Sequence, residues 1–271
     1  ADLQALLDDA VTSGVTSAAS FAVVRRGRLL FAGGAGGARP ESRFDLASLT
    51  KVVVTMTLVL RLAAAGKIDL GAPIAPALPW LAGTDKARVT VEQLLTHTSG
   101  LPAEIWAGKP GDGAAALRER LRRARLLGPP GTVYRYSDAG FLLLGELVAA
   151  VAGHPLDELA RDEIFTPLGL CATGFRPAAT DPALLSSWPD GGHLGQPFDP
   201  LAARLGGVAG HAGLFGTAVE LARFGLALLQ GGERDGVRLI EAERLAAATR
   251  PRPLPGRPAS EQRGLGWDLS S

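Results

Sequence analysis

Asp45-Leu46-Ala47-Ser48-Leu49-Thr50-Lys51, followed at once by Val52-Val53-Val54, is the stretch from which the rest of the chain can be read. Residues 49–65 are rich in Val, Leu and Ala and stop at Gly66, which predicts a long buried helix with Ser48 at its N-terminus. The Ser-x-x-Lys spacing stacks the two side chains on one helix face, one turn apart. A serine hydroxyl is a poor nucleophile until a neighbouring base takes its proton, and a lysine can do so when burial or nearby positive charge weakens its hold on its own proton. The positive end of the helix dipole at Ser48 acts in the same direction and favours a developing oxyanion. A chain of this size yields about one Ser-x-x-Lys by chance, so the alternative is an exposed lysine beside a helix cap. The three valines weigh against it, because they carry the helix, and Lys51 with it, into a core.

Upstream, residues 2–11 have helical leucine spacing ended by Gly14, and residues 21–24 and 29–31 read as strands around an Arg26-Gly27 turn. Gly33 to Gly37 is expected to be a flexible connection. Downstream, Thr90 and Gln93 have capping-box spacing for a short helix through Leu95, and residues 97–102 follow as a loop. Residues 114–127 read as a helix, Pro129-Pro130-Gly131 as a turn, and residues 141–152 as a helix ended by Gly153. Thr217 with Glu220 again has capping-box spacing, for a helix to Leu229; residues 240–248 add another, and residues 264–269 read as a strand entry. Arg250 to Pro258 is the only linker-like stretch, and no internal repeat is present.

Tyr136-Ser137-Asp138 forms a second constellation, held between a Pro-Gly turn and an apolar helix. A tyrosine projecting from such a loop can relay protons between nucleophile and leaving group. The tripeptide has little specificity by itself; packing by Tyr136 and capping of the next helix by Asp138 are the competing roles.

Composition narrows the partners. Among 271 residues, 28 Lys and Arg face 27 Asp and Glu, so the formal net charge is +1 and no global field attracts nucleic acid or an anionic membrane. A small-molecule substrate is the expectation. The basic run from Arg118 to Arg125 alternates with leucines and reads as the solvated face of a helix. Cys171 is the only cysteine, which excludes an intramolecular disulfide and a Cys-rich zinc site; its setting predicts a core position. The most apolar stretch, residues 52–65, is interrupted by Arg61 and is shorter than the roughly 20 residues that cross a bilayer, so no transmembrane segment is expected. The N-terminal residues carry no signal-peptide pattern, and the compartment stays open. His97 and His211 lack ligand-spaced partners, so no metal is expected; His97 reads as loop structure and His211 as support for a loop near the cleft. Ser99 is a rival nucleophile without a lysine one turn away. Gly33 to Gly37 does not match a dinucleotide fingerprint.

Four blocks, residues 45–51, 94–102 (Leu-Leu-Thr-His-Thr-Ser-Gly-Leu-Pro), 130–145 (Pro-Gly-Thr-Val-Tyr-Arg-Tyr-Ser-Asp-Ala-Gly-Phe-Leu-Leu-Leu-Gly) and 210–218 (Gly-His-Ala-Gly-Leu-Phe-Gly-Thr-Ala), resemble in order and separation those of the class C β-lactamase and D-alanyl-D-alanine peptidase family, which includes serine esterases. The resemblance implies an α+β, β-lactamase/transpeptidase-like fold: an antiparallel sheet from both chain ends flanked by helices, with an inserted, mainly helical lobe. One domain is expected over 1–271, with an α/β lobe from about 1–45 and 205–271, a helical lobe from about 46–204, and the site in the cleft between them.

Carried over residue by residue, the resemblance implies Ser48 as acylated nucleophile, Lys51 as its proton acceptor and Tyr136 as second general acid/base. Asp138 falls at the substrate-contacting third position of a Tyr-x-Asn element, where a carboxylate replaces an amide that can donate. The implied reaction is two-step acyl transfer on an ester, amide or β-lactam, without metal or organic cofactor; Asp138 tilts the expectation toward an esterase or peptidase. The alternative is a non-hydrolytic penicillin-recognising or scaffold protein. The family's third motif, Lys-Thr-Gly or a His-x-Gly variant, is expected on a strand after residues 264–269, so the chain is expected to be part of a longer protein, the alternative being a catalytically crippled copy. Oligomeric state is left open.

Overall fold

The computed structural model describes residues 2–105, 113–188 and 191–270. Helix α1 (Leu3–Thr12) opens at Asp2, whose side chain accepts from the Gln4 N–H, and leads into the antiparallel hairpin of β1 (Ala19–Arg25) and β2 (Arg28–Ala35). Both strands outrun the predicted segments. Gly33 and Gly34, expected in a connection, belong to β2 because the pairing uses them: a Cβ at Gly33 would stand 2.6 Å from the Phe21 ring of β1.

After the short β3 (Phe44–Asp45), residues 49–50 begin the long helix, which is wound as a π-helix over Lys51–Met56 before continuing as α2 (Thr57–Ala64). Its extent matches the predicted 49–65; its winding does not. Thr57 Oγ1 donates to Val52 O at 2.9 Å and Thr55 Oγ1 to Gly210 O at 2.6 Å, tying the widened turn to its own backbone and to a neighbouring loop. Such single π-turns are frequent at functional sites. Val54, Met56 and Val59 lie in the centre of the core.

The Thr90–Gln93 capping box opens α3 (Val91–Leu95) as predicted. Helix α4 (Ala114–Arg123) ends short of the predicted residue 127, because Asp85 Oδ2 accepts from the Leu126 N–H and Lys86 Nζ donates to Ala124 O, drawing residues 124–126 off the helix. Helix α5 (Asp138–Ala152) starts earlier than the predicted 141, with Gly153 in left-handed conformation at its end. Ser137, not Asp138, is its cap, accepting from the Gly140 N–H at 3.1 Å. A further helical run comprises α6 (Leu156–Ala160), a π-turn (Arg161–Phe165) and α7 (Thr166–Leu168).

Strand β4 (Gly174–Phe175), helix α8 (Pro200–Arg204) and strand β5 (Leu214–Gly216) follow, and β5 pairs antiparallel with both β3 and β4. Helix α9 (Ala218–Leu229) packs on β1 and β2. Thr217 caps α9 as predicted, but Glu220 does not return to it: that carboxylate accepts from Ala172 N and Thr173 Oγ1 instead. The hairpin β6 (Glu233–Arg234) and β7 (Val237–Arg238) precedes α10 (Ala242–Ala248), which begins after the predicted residue 240 because the N–H groups of Leu239 and Ile240 are bound to Gly232 O.

Strand β8 (Arg252–Pro253), in the stretch read as a linker, pairs with β9 (Gln262–Arg263). The predicted strand entry at 264–269 is a turn that brings Asp268 back beside Arg263. The α+β mixture is as expected. Within the described residues, the N-terminal hairpin and the β8–β9 pair are separate sheets rather than one sheet from both chain ends. Cys171 is exposed, not core, although Leu170 and Thr173 on either side of it are buried. In α4 only Leu117 and Leu121 are buried, which leaves its arginines on a solvated face as read. Among the described residues no single helix is long and apolar enough to cross a membrane.

Candidate active site

The turn that carries Ser48 is built from β3. Asp45 Oδ1 accepts from the Ala47 N–H at 2.8 Å, and Ala47 carries a φ of 45°, a left-handed conformation that costs an L-residue energy. Thr50 Oγ1 donates to Ala47 O at 2.6 Å and accepts from the Leu214 N–H of β5 at 3.2 Å. Asp45 and Thr50 thereby hold the turn from both sides, and Ser48 stands exposed at its tip.

Lys51 enters the core beneath it and is 2% exposed. Three oxygens surround its Nζ: Ser48 Oγ at 2.9 Å, His211 O at 3.1 Å and Asp138 Oδ1 at 2.6 Å. The carbonyl reaches Lys51 because Gly210 packs on α5 at Gly145, where a Cβ on Gly210 would lie 2.2 Å from Phe141 O. The Tyr136 ring centroid is 4.9 Å from the same Nζ and 5.3 Å from the guanidinium carbon of Arg263. Ser48, Lys51, Tyr136 and Asp138, separated in sequence, therefore meet in one place.

His97 supports this cluster from below. Its Nδ1 accepts from the Ser137 N–H at 3.0 Å, and its ring lies 4.4 Å from that of Tyr136. Burial first, then the charges of Arg263 and Lys51, push its proton affinity well below the usual histidine range, so it is the neutral tautomer with the proton on Nε2. His211 Nε2 bonds to Asp199 Oδ1 at 2.9 Å. Burial alone would raise the Asp199 carboxyl; the hydrogen bond and charge of His211, with the N–H groups of Ala202 and Leu201, outweigh it and hold Asp199 below the usual range. Asp45 is shifted the other way, raised mainly by burial and further by Asp199, against the N–H groups of Phe198 and Ala47.

The histidine readings agree with this geometry. Ser99 does not join the site; it is buried, and its Oγ accepts from the Leu101 N–H. Asp45, Thr50, Asp199 and Arg263 were missed. Asp45 carried a local signal, an Asx turn before a residue that needs support, whereas Arg263 carried none. Among the described residues no three His, Cys, Asp or Glu side chains group as metal ligands.

A family model described as Beta-lactamase matches residues 3–271. An Escherichia coli protein named "Putative D-alanyl-D-alanine carboxypeptidase" is 33% identical over 234 residues, 74% of this chain and 54% of that protein. A protein of the same name from Salmonella schwarzengrund is 30% identical over 267 residues, 86% of this chain and 60% of its own. The chain thus spans 54–60% of the length of these relatives. Among solved structures, the penicillin-binding protein homologue of Pyrococcus abyssi aligns with a TM-score of 0.82 at 19% identity over 99% of this chain and 65% of that one. A class C beta-lactamase of Rhodobacter sphaeroides gives 0.78 at 21% identity over 97% and 74%. These two show a shared fold. A D-stereospecific amidohydrolase from Streptomyces gives 0.74 at 26% identity over 97% and 81%.

Proposed function

Because the chain belongs to the beta-lactamase family, we propose that it serves a serine acyl hydrolase in which Ser48 is acylated, Lys51 takes the Ser48 proton and Tyr136 delivers a proton to the leaving group. The observation that carries this is the 2.9 Å contact between Ser48 Oγ and the buried Lys51 Nζ. His211 O cannot donate, and an ionised Asp138 cannot either, so these two take N–H groups of Lys51 and leave its third direction for Ser48.

As Oγ adds to the substrate carbonyl carbon, its proton passes to Lys51. Collapse of the tetrahedral species breaks the bond to the leaving group, which takes a proton from Tyr136; water then releases the acid by the reverse sequence. No other described residue accepts the Ser48 backbone N–H, which is free to donate to the developing oxyanion. Substrates of this site are small esters, amides or β-lactams, in keeping with relatives and neighbours named as a carboxypeptidase, an amidohydrolase and a β-lactamase. The two-lobe division at about residues 45 and 205 belongs to the same reading.

The test is a time course with a chromogenic cephalosporin, a short-chain nitrophenyl ester and a D-alanyl-D-alanine peptide, wild type beside Ser48→Ala. Turnover of at least one, lost in the variant together with covalent labelling by a fluorophosphonate, is the expected result. Equal turnover in the variant overturns the assignment.

A further inference from the structure

Resting on the assignment of Lys51 as base, we infer that Asp138 is a gate on that base: its carboxylate holds the Lys51 proton and thereby sets the lower pH boundary of the reaction. The third residue of the Tyr136-Ser137-Asp138 element is then no substrate-amide contact but the counter-charge of the base.

Lys51 Nζ has one carboxylate oxygen against it, Asp138 Oδ1 at 2.6 Å, with side-chain exposures of 3% and 21%. That oxygen is shielded from solvent and has no hydrogen-bond partner elsewhere among the described residues, so the lysine is what compensates it. With Ser48 Oγ and His211 O, three oxygens match the three N–H groups of an ammonium. A neutral amine has two N–H groups and one lone pair, and with His211 O and Asp138 taking the former, the lone pair points at Ser48. Both states fit one arrangement of heavy atoms and differ by a single proton.

The local charge balance decides between the two states. Tyr136 presents its ring to Nζ from the segment before α5, and Phe141 presents its own from within α5. His97, on the loop after α3, is neutral. Arg263, in β9, lies over the Tyr136 ring and opposes a second cation. Asp199 faces Lys51 only through His211, whose Nε2 it binds. Asp138 is thus the carboxylate in direct contact, and the one whose removal most changes the preference of Lys51 for its proton.

Asp138→Asn is the discriminating substitution, because an amide oxygen can still accept from Lys51 at the same place while the charge is gone. The pH profile of kcat/KM for a nitrophenyl ester is measured, together with the pH dependence of Ser48 labelling by a fluorophosphonate. The acidic limb of both is expected to move to lower pH by about 1–3 units, the range for an opposite charge within contact distance. Asp138→Glu, which keeps the charge, keeps the limb near its wild-type position. An unmoved limb in folded Asp138→Asn overturns the inference; if that variant does not fold, Asp138→Ser, equally uncharged, is read the same way. Loss of labelling in Ser48→Ala with an unmoved limb leaves the hydrolase reading standing and removes this one, whereas full labelling in Ser48→Ala removes both.

Discussion

Asp199 Oδ1 and His211 Nε2 are bonded at 2.9 Å, and the carbonyl of that same histidine accepts from Lys51 at 3.1 Å. A carboxylate with no contact to Lys51 thus orients one of the three groups that aim it. Asp199 also caps α8 through the N–H groups of Leu201 and Ala202, so one side chain joins a helix start to the surroundings of Lys51.

Asp199→Ala is expected to leave the buried imidazole unpaired and cost about 1–3 kcal/mol of stability. It should also lower kcat/KM by roughly tenfold or more through misplacement of Lys51. Because Asp199 is held below the usual carboxylate range, its contribution is complete above that range and lost as pH falls through its own lowered value. Denaturant unfolding across the acid range should show wild type losing this increment and Asp199→Ala lacking it throughout. A variant with wild-type stability and kcat/KM removes the positioning role.

Asp45 holds the Ser48 turn at its strained point, since Oδ1 takes the Ala47 N–H and Oδ2 takes the Phe198 N–H at 2.7 Å. In Asp45→Ala the left-handed Ala47 loses its brace, and the rate of Ser48 labelling is expected to fall by up to about 100-fold, as for a nucleophile displaced by about an ångström. Ala47→Gly, which removes the steric cost at φ 45°, should recover part of that rate in the double variant. No recovery, with folding intact, would place the defect elsewhere.

His97 predicts a pH effect with a fixed sign. Its proton affinity is depressed in the folded chain by burial and by Arg263 and Lys51, so folding favours the neutral ring. Stability from this source is complete above the unfolded value of about 6.5 and declines as pH falls from there toward the depressed folded value. His97→Asn suits the left-handed φ of 58° and offers an oxygen to the Ser137 N–H in place of Nδ1. It gives up the ring contacts with Tyr136 and Phe141, so it is less stable at neutral pH. Between pH 6.5 and 5, urea midpoints should fall less steeply in the variant than in wild type; parallel slopes would contradict the assignment.

The same site shows which features local sequence can carry. The contact of Ser48 with a buried Lys51 was legible because it lies within one helical turn and the valines beside it, and the caps at Thr90 and Gly153 are equally local. The choice between Ser137 and Asp138 as cap was not local: it turned on Asp138 being drawn to Lys51 across the fold. The π-winding of Lys51–Met56 depends in part on Thr55 reaching Gly210, 155 residues away. Arg263 acquires a role only by meeting Tyr134, 129 residues before it, and lying over Tyr136. Periodicity has no access to such pairs.

Two buried lysines make the last contrast. Lys86 is 1% exposed, against 2% for Lys51, and its ammonium is bound to Asp85 and Ala124 O. It pins a turn (Asp85–Arg88) to the chain leaving α4 and touches none of Ser48, Tyr136 or Asp138. Lys86→Met is expected to leave a half-buried carbonyl unpaired and lower stability by about 1–3 kcal/mol, with kcat/KM near wild type. Lys51→Met removes the proposed proton acceptor and should abolish Ser48 labelling; it also strands Asp138 Oδ1, so Lys51→Met with Asp138→Asn should be more stable than Lys51→Met alone. Chemical unfolding and labelling rates on these variants separate a lysine that holds the fold from one that the chemistry uses. Labelling retained by Lys51→Met, or lost in a folded Lys86→Met, would reverse the two roles.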